Sequence, residues 1–287
     1  MTSDVRPRRS ALFMPASNAR ALEKARGLPA DVLIFDLEDA VAPDAKETAR
    51  RQAAEAVASR GYGDHEVVVR VNGLDNDWGA DDLRAMTANP PHAVLLPKVE
   101  STALVRTAIQ LLPETVDIWC MIETPVGIVR LDAIAAASPR VRCLVVGTSD
   151  LSADLGVRDR ADRMPLLASL SHCVLVARAN GQSVLDGVHL ALDDSAGFRA
   201  VCEQGRDLGF DGKTLIHPNQ IAACNDVFSP APEAVAQARA VVEAFQAAEA
   251  RGDGLVVLDG RLVENLHVRA AQRLLAMAAA IEAREQT

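Results

Sequence analysis

Short apolar, β-branched runs alternate with longer helix-forming stretches along almost the whole chain, and no other feature narrows the possible folds as much. Eight runs read as strands: residues 11–14, 32–37, 66–71, 93–97, 118–122, 143–147, 183–187 and 213–216. Most are continuously apolar rather than alternating, the pattern of parallel strands covered on both faces. Helix starts are visible between them. Asp44 with Glu47 makes a D-x-x-E capping pattern before an alanine-rich stretch, Ser101 precedes 102–111, and Asp194 or Ser195 opens the segment to Leu208. Eight strands with intervening helices in about 250 residues predict an α/β fold of the (β/α)8 TIM-barrel type. A doubly wound open sheet is the alternative, but no G-x-G-x-x-G follows the first strand.

The barrel is expected to occupy residues 1–251 and to close with an alanine-rich helix over 232–251. A Gly-Asp-Gly break at 252–254 leads to the apolar run 255–258 and a last helix over 263–284, so 252–287 reads as a C-terminal helical lid or oligomer contact. The 49% apolar content excludes a disordered chain, and no apolar run approaches the ~18 residues of a membrane span. The first ten residues are polar and basic with no apolar segment behind them, so no secretory leader is expected. Thirty basic against 39 acidic residues give a net charge of −9, which argues against general nucleic-acid or membrane-surface binding. An acidic ligand would need a local basic pocket. Cys120, Cys143, Cys173, Cys202 and Cys224 are widely spaced in apolar segments and read as buried free thiols in a reducing cytoplasm.

In a barrel the chemistry sits where strands end at the C-terminal face. The second run ends in Asp36-Leu37-Glu38-Asp39, the third in Arg70-Val71-Asn72 and the fourth in Lys98 and Glu100. Glu123-Thr124, Thr148-Ser149-Asp150, Asp186 and His217 end the fifth to eighth. Acidic groups converging on one mouth would repel each other unless a cation sat among them. With no HExxH, no CxxC pair and scattered histidines, zinc is disfavoured, and a carboxylate site with room for water suits Mg²⁺, or Mn²⁺ in its place. Glu123 and Asp150 are the candidate ligands. Glu38 and Asp39 are candidates to orient metal-bound water, the other reading being capping or solvated loop acids. Arg70 should emerge at the mouth and clamp a carboxylate or steady an enolate oxygen, unless it is held in a salt bridge to Glu38 or Asp39. Lys98 offers a metal-free Schiff-base route, which the neighbouring Glu100 would oppose by keeping it charged.

These residues fall in motifs that resemble a known family. Arg9-Ser10-Ala11-Leu12-Phe13-Met14-Pro15-Ala16-Ser17, Asp36-Leu37-Glu38-Asp39-Ala40-Val41-Ala42-Pro43, Arg70-Val71-Asn72-Gly73, Leu96-Pro97-Lys98-Val99-Glu100, Ile122-Glu123-Thr124, Gly147-Thr148-Ser149-Asp150 and Ile216-His217-Pro218 occur in this order. They look like the citrate lyase β-subunit-like family of the HpcH/HpaI aldolase superfamily, which includes malyl-CoA and citramalyl-CoA lyases, over residues 8–275 or so. The resemblance implies a Mg²⁺-dependent carbon–carbon lyase acting on the CoA or acyl-carrier thioester of a hydroxy-di- or tricarboxylic acid, yielding an acyl thioester and a 2-oxo acid. It implies that Glu123 and Asp150 hold the metal and that Arg70 contacts substrate. It further implies that Phe13, Lys24, Ile216 and His217 line the thioester site, and Ser149, in the strand-end motif beside Asp150, is a further candidate substrate contact. A homotrimer or hexamer is the assembly it suggests.

Two departures stand out. Malyl-CoA lyases carry a lid aspartate after a Gly-Arg-Leu-Val-like stretch, whereas this chain has Glu264 after Gly260-Arg261-Leu262-Val263. Glu264 is therefore the candidate base, with a helix-start acid as the other reading, and the change argues against the thioester hydrolysis that some relatives perform. Asn18 stands where some lyases carry an arginine near the CoA phosphates. Two other functions fit the same motifs: a free-acid pyruvate-type aldolase, and a citrate-lyase-like subunit or thioester binder with little activity of its own.

Overall fold

The computed structural model describes residues 5–251, 256–258 and 260–286. The eight expected strands form, each within two residues of its expected limits: β1 (Ser10–Pro15), β2 (Val32–Asp36), β3 (Glu66–Arg70), β4 (Ala93–Leu96), β5 (Asp117–Ile122), β6 (Val141–Val146), β7 (Ser183–Asp186) and β8 (Gly212–Leu215). They run parallel in sequence order, and β1 pairs with β8 to close the barrel. The fold is a (β/α)8 TIM barrel, and the open-sheet alternative is excluded by that closure.

Strand alternation sorts the side chains. Ala11, Ile34, Val68, Leu95, Trp119, Met121, Val145 and Leu185 fill the barrel interior. The opposite faces, with residues such as Leu12, Leu33, Val69 and Leu144, pack beneath the helices. At the N-terminal end, Arg8 makes a bidentate pair with Glu66 (2.6 and 2.7 Å), donates to Ser183 Oγ and lies 5.0 Å from the Trp119 ring. This pair plugs the base of the barrel and leaves the C-terminal end for chemistry.

The helices are α1 (Ala19–Ala25), α2 (Lys46–Ala58), α3 (Gly79–Ala85), α4 (Thr102–Leu111), α5 (Pro125–Val129), α6 (Leu131–Ala135), α7 (Thr148–Leu155), α8 (Leu167–Ala179), α9 (Ser195–Leu208) and α10 (Ile221–Phe228). Ser101 caps α4 through the Leu104 N–H, and Asp194 caps α9 through the Gly197 N–H. The capping box expected at Asp44 does not form. Pro43 starts a 3-10 turn over Pro43–Ala45, so Ala45 takes the cap position of α2 without a side-chain bond.

Arg8–Phe228 is one compact unit. A second contains the residues from Ser229 onward together with the N-terminal residues 5–7, so the expected boundary at 251/252 falls inside it. There α11 (Pro232–Arg251) and α12 (Asn265–Glu285) flank a short antiparallel pair, β9 (Val256–Leu258) and β10 (Arg261–Val263). Ala248, Val256, Val263 and Val268 form its own apolar cluster, with Phe245 packed against it. The last helix starts two residues later than expected because residues 261–263 pair as a strand.

Candidate active site at the barrel mouth

Asp36 and Arg70 are register partners at the ends of β2 and β3, so both face into the barrel. Arg70 is 6% exposed and donates from Nε and one terminal nitrogen to the two Asp36 oxygens, at 2.6 Å each. Its other terminal nitrogen lies 2.7 Å from Glu38 Oε2 and 3.3 Å from Asp39 Oδ2. Phe13 from β1 places its ring 4.8 Å from the guanidinium. The salt bridge left open in the sequence is present, and Asp36, which sequence reasoning passed over as a strand terminus, is the strongest partner.

Glu38 and Asp39 are consecutive carboxyls on the loop after β2, and each shifts the other's protonation. Burial and the charge of Asp39 push the Glu38 carboxyl up, against the opposing pull of Arg70. Burial acts on Asp39 in the same sense, but its interaction with Glu38 and the charge of Arg70 outweigh it and hold that carboxyl below its ordinary value. The pair thus splits in opposite directions, as interacting neighbouring carboxyls do. Its loop is held by Lys46, a residue the sequence did not single out for this site. The buried Lys46 ammonium donates to Leu37 O (2.8 Å), Glu38 O (2.7 Å) and Asn72 Oδ1 (2.7 Å).

Glu123 follows Trp119 and Met121 in the inward-facing parity of β5 and is 1% exposed. Its Oε1 accepts from the backbone N–H of Lys98 at 2.8 Å, while its Oε2 is buried with no hydrogen-bond partner. Burial pushes this carboxyl up to about 7, and the charges of Asp150 and Glu38 push the same way. A side chain at Gly147, which follows β6, would overlap Glu123 Cβ and Oε2, so only glycine leaves the carboxylate its place. Asp150, half-buried, lies in the first turn of α7 and its charge reaches Glu123; Ser149 beside it is exposed. An orphaned buried carboxylate oxygen next to a second carboxylate is a donor set that suits a hard cation. Among the described residues no group of three or more His, Cys, Asp and Glu is placed to hold a metal.

The other expected residues lie elsewhere. Lys24 is exposed in the last turn of α1, and Ile216 and His217 are exposed after β8; among the described residues none makes a hydrogen bond or ion pair with the acidic cluster. His217 Nδ1 accepts from the Asn219 N–H, the backbone-capping role. Asn18 caps α1 through the Ala21 N–H. Glu264, in the second unit, is the exposed N-cap of α12, where its N–H donates to His267 Nδ1 (3.0 Å) in a reciprocal capping box. Lys98 is half exposed, with Nζ 3.4 Å from Glu38 Oε1, so Glu38 and not Glu100 is its partner. Burial works to neutralise that ammonium, but Glu38, Asp39 and Glu123 outweigh it and keep it charged, which opposes Schiff-base chemistry.

Asp186 corrects the picture of a mouth ringed by carboxylates from most of the strands. Leu185 faces the interior, so Asp186 points outward beneath α9, where it meets Lys213 Nζ (3.1 Å) and one terminal nitrogen of Arg163 that donates to both its oxygens (2.8 Å each). Gly205 of α9 provides the room, since a Cβ there would lie 2.9 Å from Asp186 Oδ2.

Comparison with known proteins adds to the geometry. Residues 9–218 match the family model described as HpcH/HpaI aldolase/citrate lyase. A (3S)-malyl-CoA thioesterase of Cereibacter sphaeroides is 48% identical over 99% of both chains. An L-malyl-CoA/beta-methylmalyl-CoA lyase of the same species is 34% identical, covering 97% of this chain and 96% of its own. The crystal structure of protein CitE from Mycobacterium tuberculosis in complex with magnesium, acetoacetate and coenzyme A is 33% identical. It aligns with a TM-score of 0.76 over 94% of this chain and 97% of its own.

Proposed function

The chain belongs to the HpcH/HpaI aldolase/citrate lyase family, and on that premise we propose that it is an enzyme acting on the CoA thioester of a malate-like hydroxy acid, with Mg²⁺ at the barrel mouth. The observation that carries the reading is the buried, unpartnered Oε2 of Glu123 beside Asp150. These two carboxylates would hold Mg²⁺, with Mn²⁺ as a substitute. When bound, the cation supplies Lewis-acid polarisation and a template for the oxygens of the acid substrate.

The chain's own residues supply the rest. Asp36 locks the Arg70 guanidinium in one plane, so its third nitrogen, held by Glu38 and Asp39, is aimed to meet developing negative charge once those carboxyls give way. Glu38, its carboxyl pushed up by burial, and Asp39 lie next to that charge and are the candidates to take or give a proton there. Glu264 is the alternative base. Phe13, Ser149, Ile216, His217 and Lys24 are the proposed contacts to substrate and thioester.

Two outcomes are open to such a thioester. We put hydrolysis first, because a thioesterase relative matches over the full length at 48% identity, against 34% for a lyase. This reverses the expectation drawn from Glu264. Carbon–carbon cleavage to an acyl-CoA and a 2-oxo acid is the second reading, supported by the family and by that lyase. Purified protein with Mg²⁺ and malyl-, methylmalyl-, citramalyl- or citryl-CoA decides between them: free CoA with the intact hydroxy acid marks hydrolysis, and released 2-oxo acid marks cleavage. Turnover of none of these thioesters, with turnover of free 4-hydroxy-2-oxo acids, would move the assignment to a free-acid aldolase. Binding without turnover would move it to a citrate-lyase-like subunit served by an acyl-carrier partner. Glu123→Ala and Asp150→Ala should each abolish metal-dependent turnover, and full activity in EDTA would end the metal assignment. A cytoplasmic homotrimer or hexamer completes the proposal; the five buried thiols fit a reducing compartment, and no described helix is long and apolar enough to cross a membrane.

A further inference from the structure

Lys98 holds a backbone conformation that its side chain does not favour. Its φ is +45°, one of three positive values among the described non-glycine residues, and it follows Pro97 directly at the end of β4. The left-handed turn aims the Lys98 N–H at Glu123 Oε1 of the neighbouring β5 (2.8 Å). One residue later the chain is back in the ladder, with the Val99 N–H donating to Met121 O at 3.1 Å. The single backward turn therefore takes one donor out of the sheet and spends it on one oxygen of Glu123. The other oxygen, Oε2, is left buried and unpartnered against Gly147. From the same residue the side chain runs to Glu38, with Nζ 3.4 Å from Oε1.

We propose that Lys98 is a positioning residue that sets the cation site through its backbone: its left-handed turn clamps Glu123 Oε1 so that Oε2 alone is presented to a divalent cation. The proposal rests on the reading that Glu123 holds the metal. It makes backbone tolerance of the left-handed region, and not the lysine charge, the property that metal binding requires at this position. Strain kept at a single residue beside a site, held by its surroundings, is the form such positioning takes.

The test is Mg²⁺ titration by calorimetry on the purified full chain, using Lys98→Gly, Lys98→Asn and Lys98→Val. All three remove the ammonium, and they differ in how readily they adopt positive φ, glycine most and β-branched valine least. The expected result is comparable Mg²⁺ affinity for the glycine and asparagine variants and an affinity at least about tenfold weaker for valine, a step of about 1.4 kcal/mol. Should valine prevent folding, Lys98→Ala takes its place, with affinity again below that of glycine. Equal affinity across the series, or a valine variant that loses thermal stability but binds Mg²⁺ as glycine does, overturns the proposal. Glu123→Gln separates the two layers: if it binds Mg²⁺ as the unmodified chain does, the metal assignment of Glu123 fails. If it loses binding while the valine variant keeps it, only the role of Lys98 fails.

Discussion

Arg70 reaches its carboxylate partners with three different nitrogens, two on Asp36 and one shared by Glu38 and Asp39. A planar fork can do this and an ammonium cannot. Arg70→Lys is therefore expected to lower kcat about a hundredfold or more while the chain still folds, because misplacement by about 1 Å is enough for such a loss. Near-normal kcat in a steady-state assay would remove Arg70 from the chemistry. Lys46 is the converse case, a point charge met by three oxygens, two from consecutive carbonyls after β2 and one from Asn72 after β3. Arg70, Glu38, Asp39 and Glu123 were legible in the sequence because each ends an apolar run. Lys46 was not, since it sits in a helix-forming stretch and acquires its role only when β2 and β3 bring Leu37 and Asn72 to it.

At the scale of elements, the outward side of β7 and β8 carries a buried Arg163–Asp186–Lys213 triad instead of another mouth residue. Burial works to raise the Asp186 carboxyl, but Lys213 and Arg163 outweigh it and hold it below its ordinary value. A depressed carboxylate contributes stability that is present above its unfolded pKa of about 3.9 and is lost as pH falls through the folded value. Asp186→Asn should cost about 3 kcal/mol near neutrality, since it strands two buried cations. That difference should shrink below about pH 4, which urea midpoints measured at both pH values would check. In the second unit, Glu264 caps α12, so Glu264→Ala should lower stability by about 1 kcal/mol. If turnover instead collapses while the melting temperature holds, Glu264 acts as a base.

For the whole molecule, the period of the sequence and the closure of the sheet contributed different things. Strand count, order and approximate limits follow from apolar runs alone, because parallel strands covered on both faces leave a contiguous apolar mark. Residues 9–218 also carry the family motifs in order, and with them the candidate metal carboxylates and the arginine. Sequence could not tell which strand-end acid faces inward, because a one-residue difference in where a strand ends reverses the face. Asp36 and Asp186 both end strands, yet the first points into the barrel onto Arg70 and the second out beneath α9. Nor could it reveal that Lys98 turns left-handed to reach Glu123, a contact 25 residues apart that exists only once β4 lies beside β5. The sequence thus determined the barrel and the kinds of groups at its mouth. Register and closure, which set side-chain direction and bring distant segments together, decided which of those groups meet.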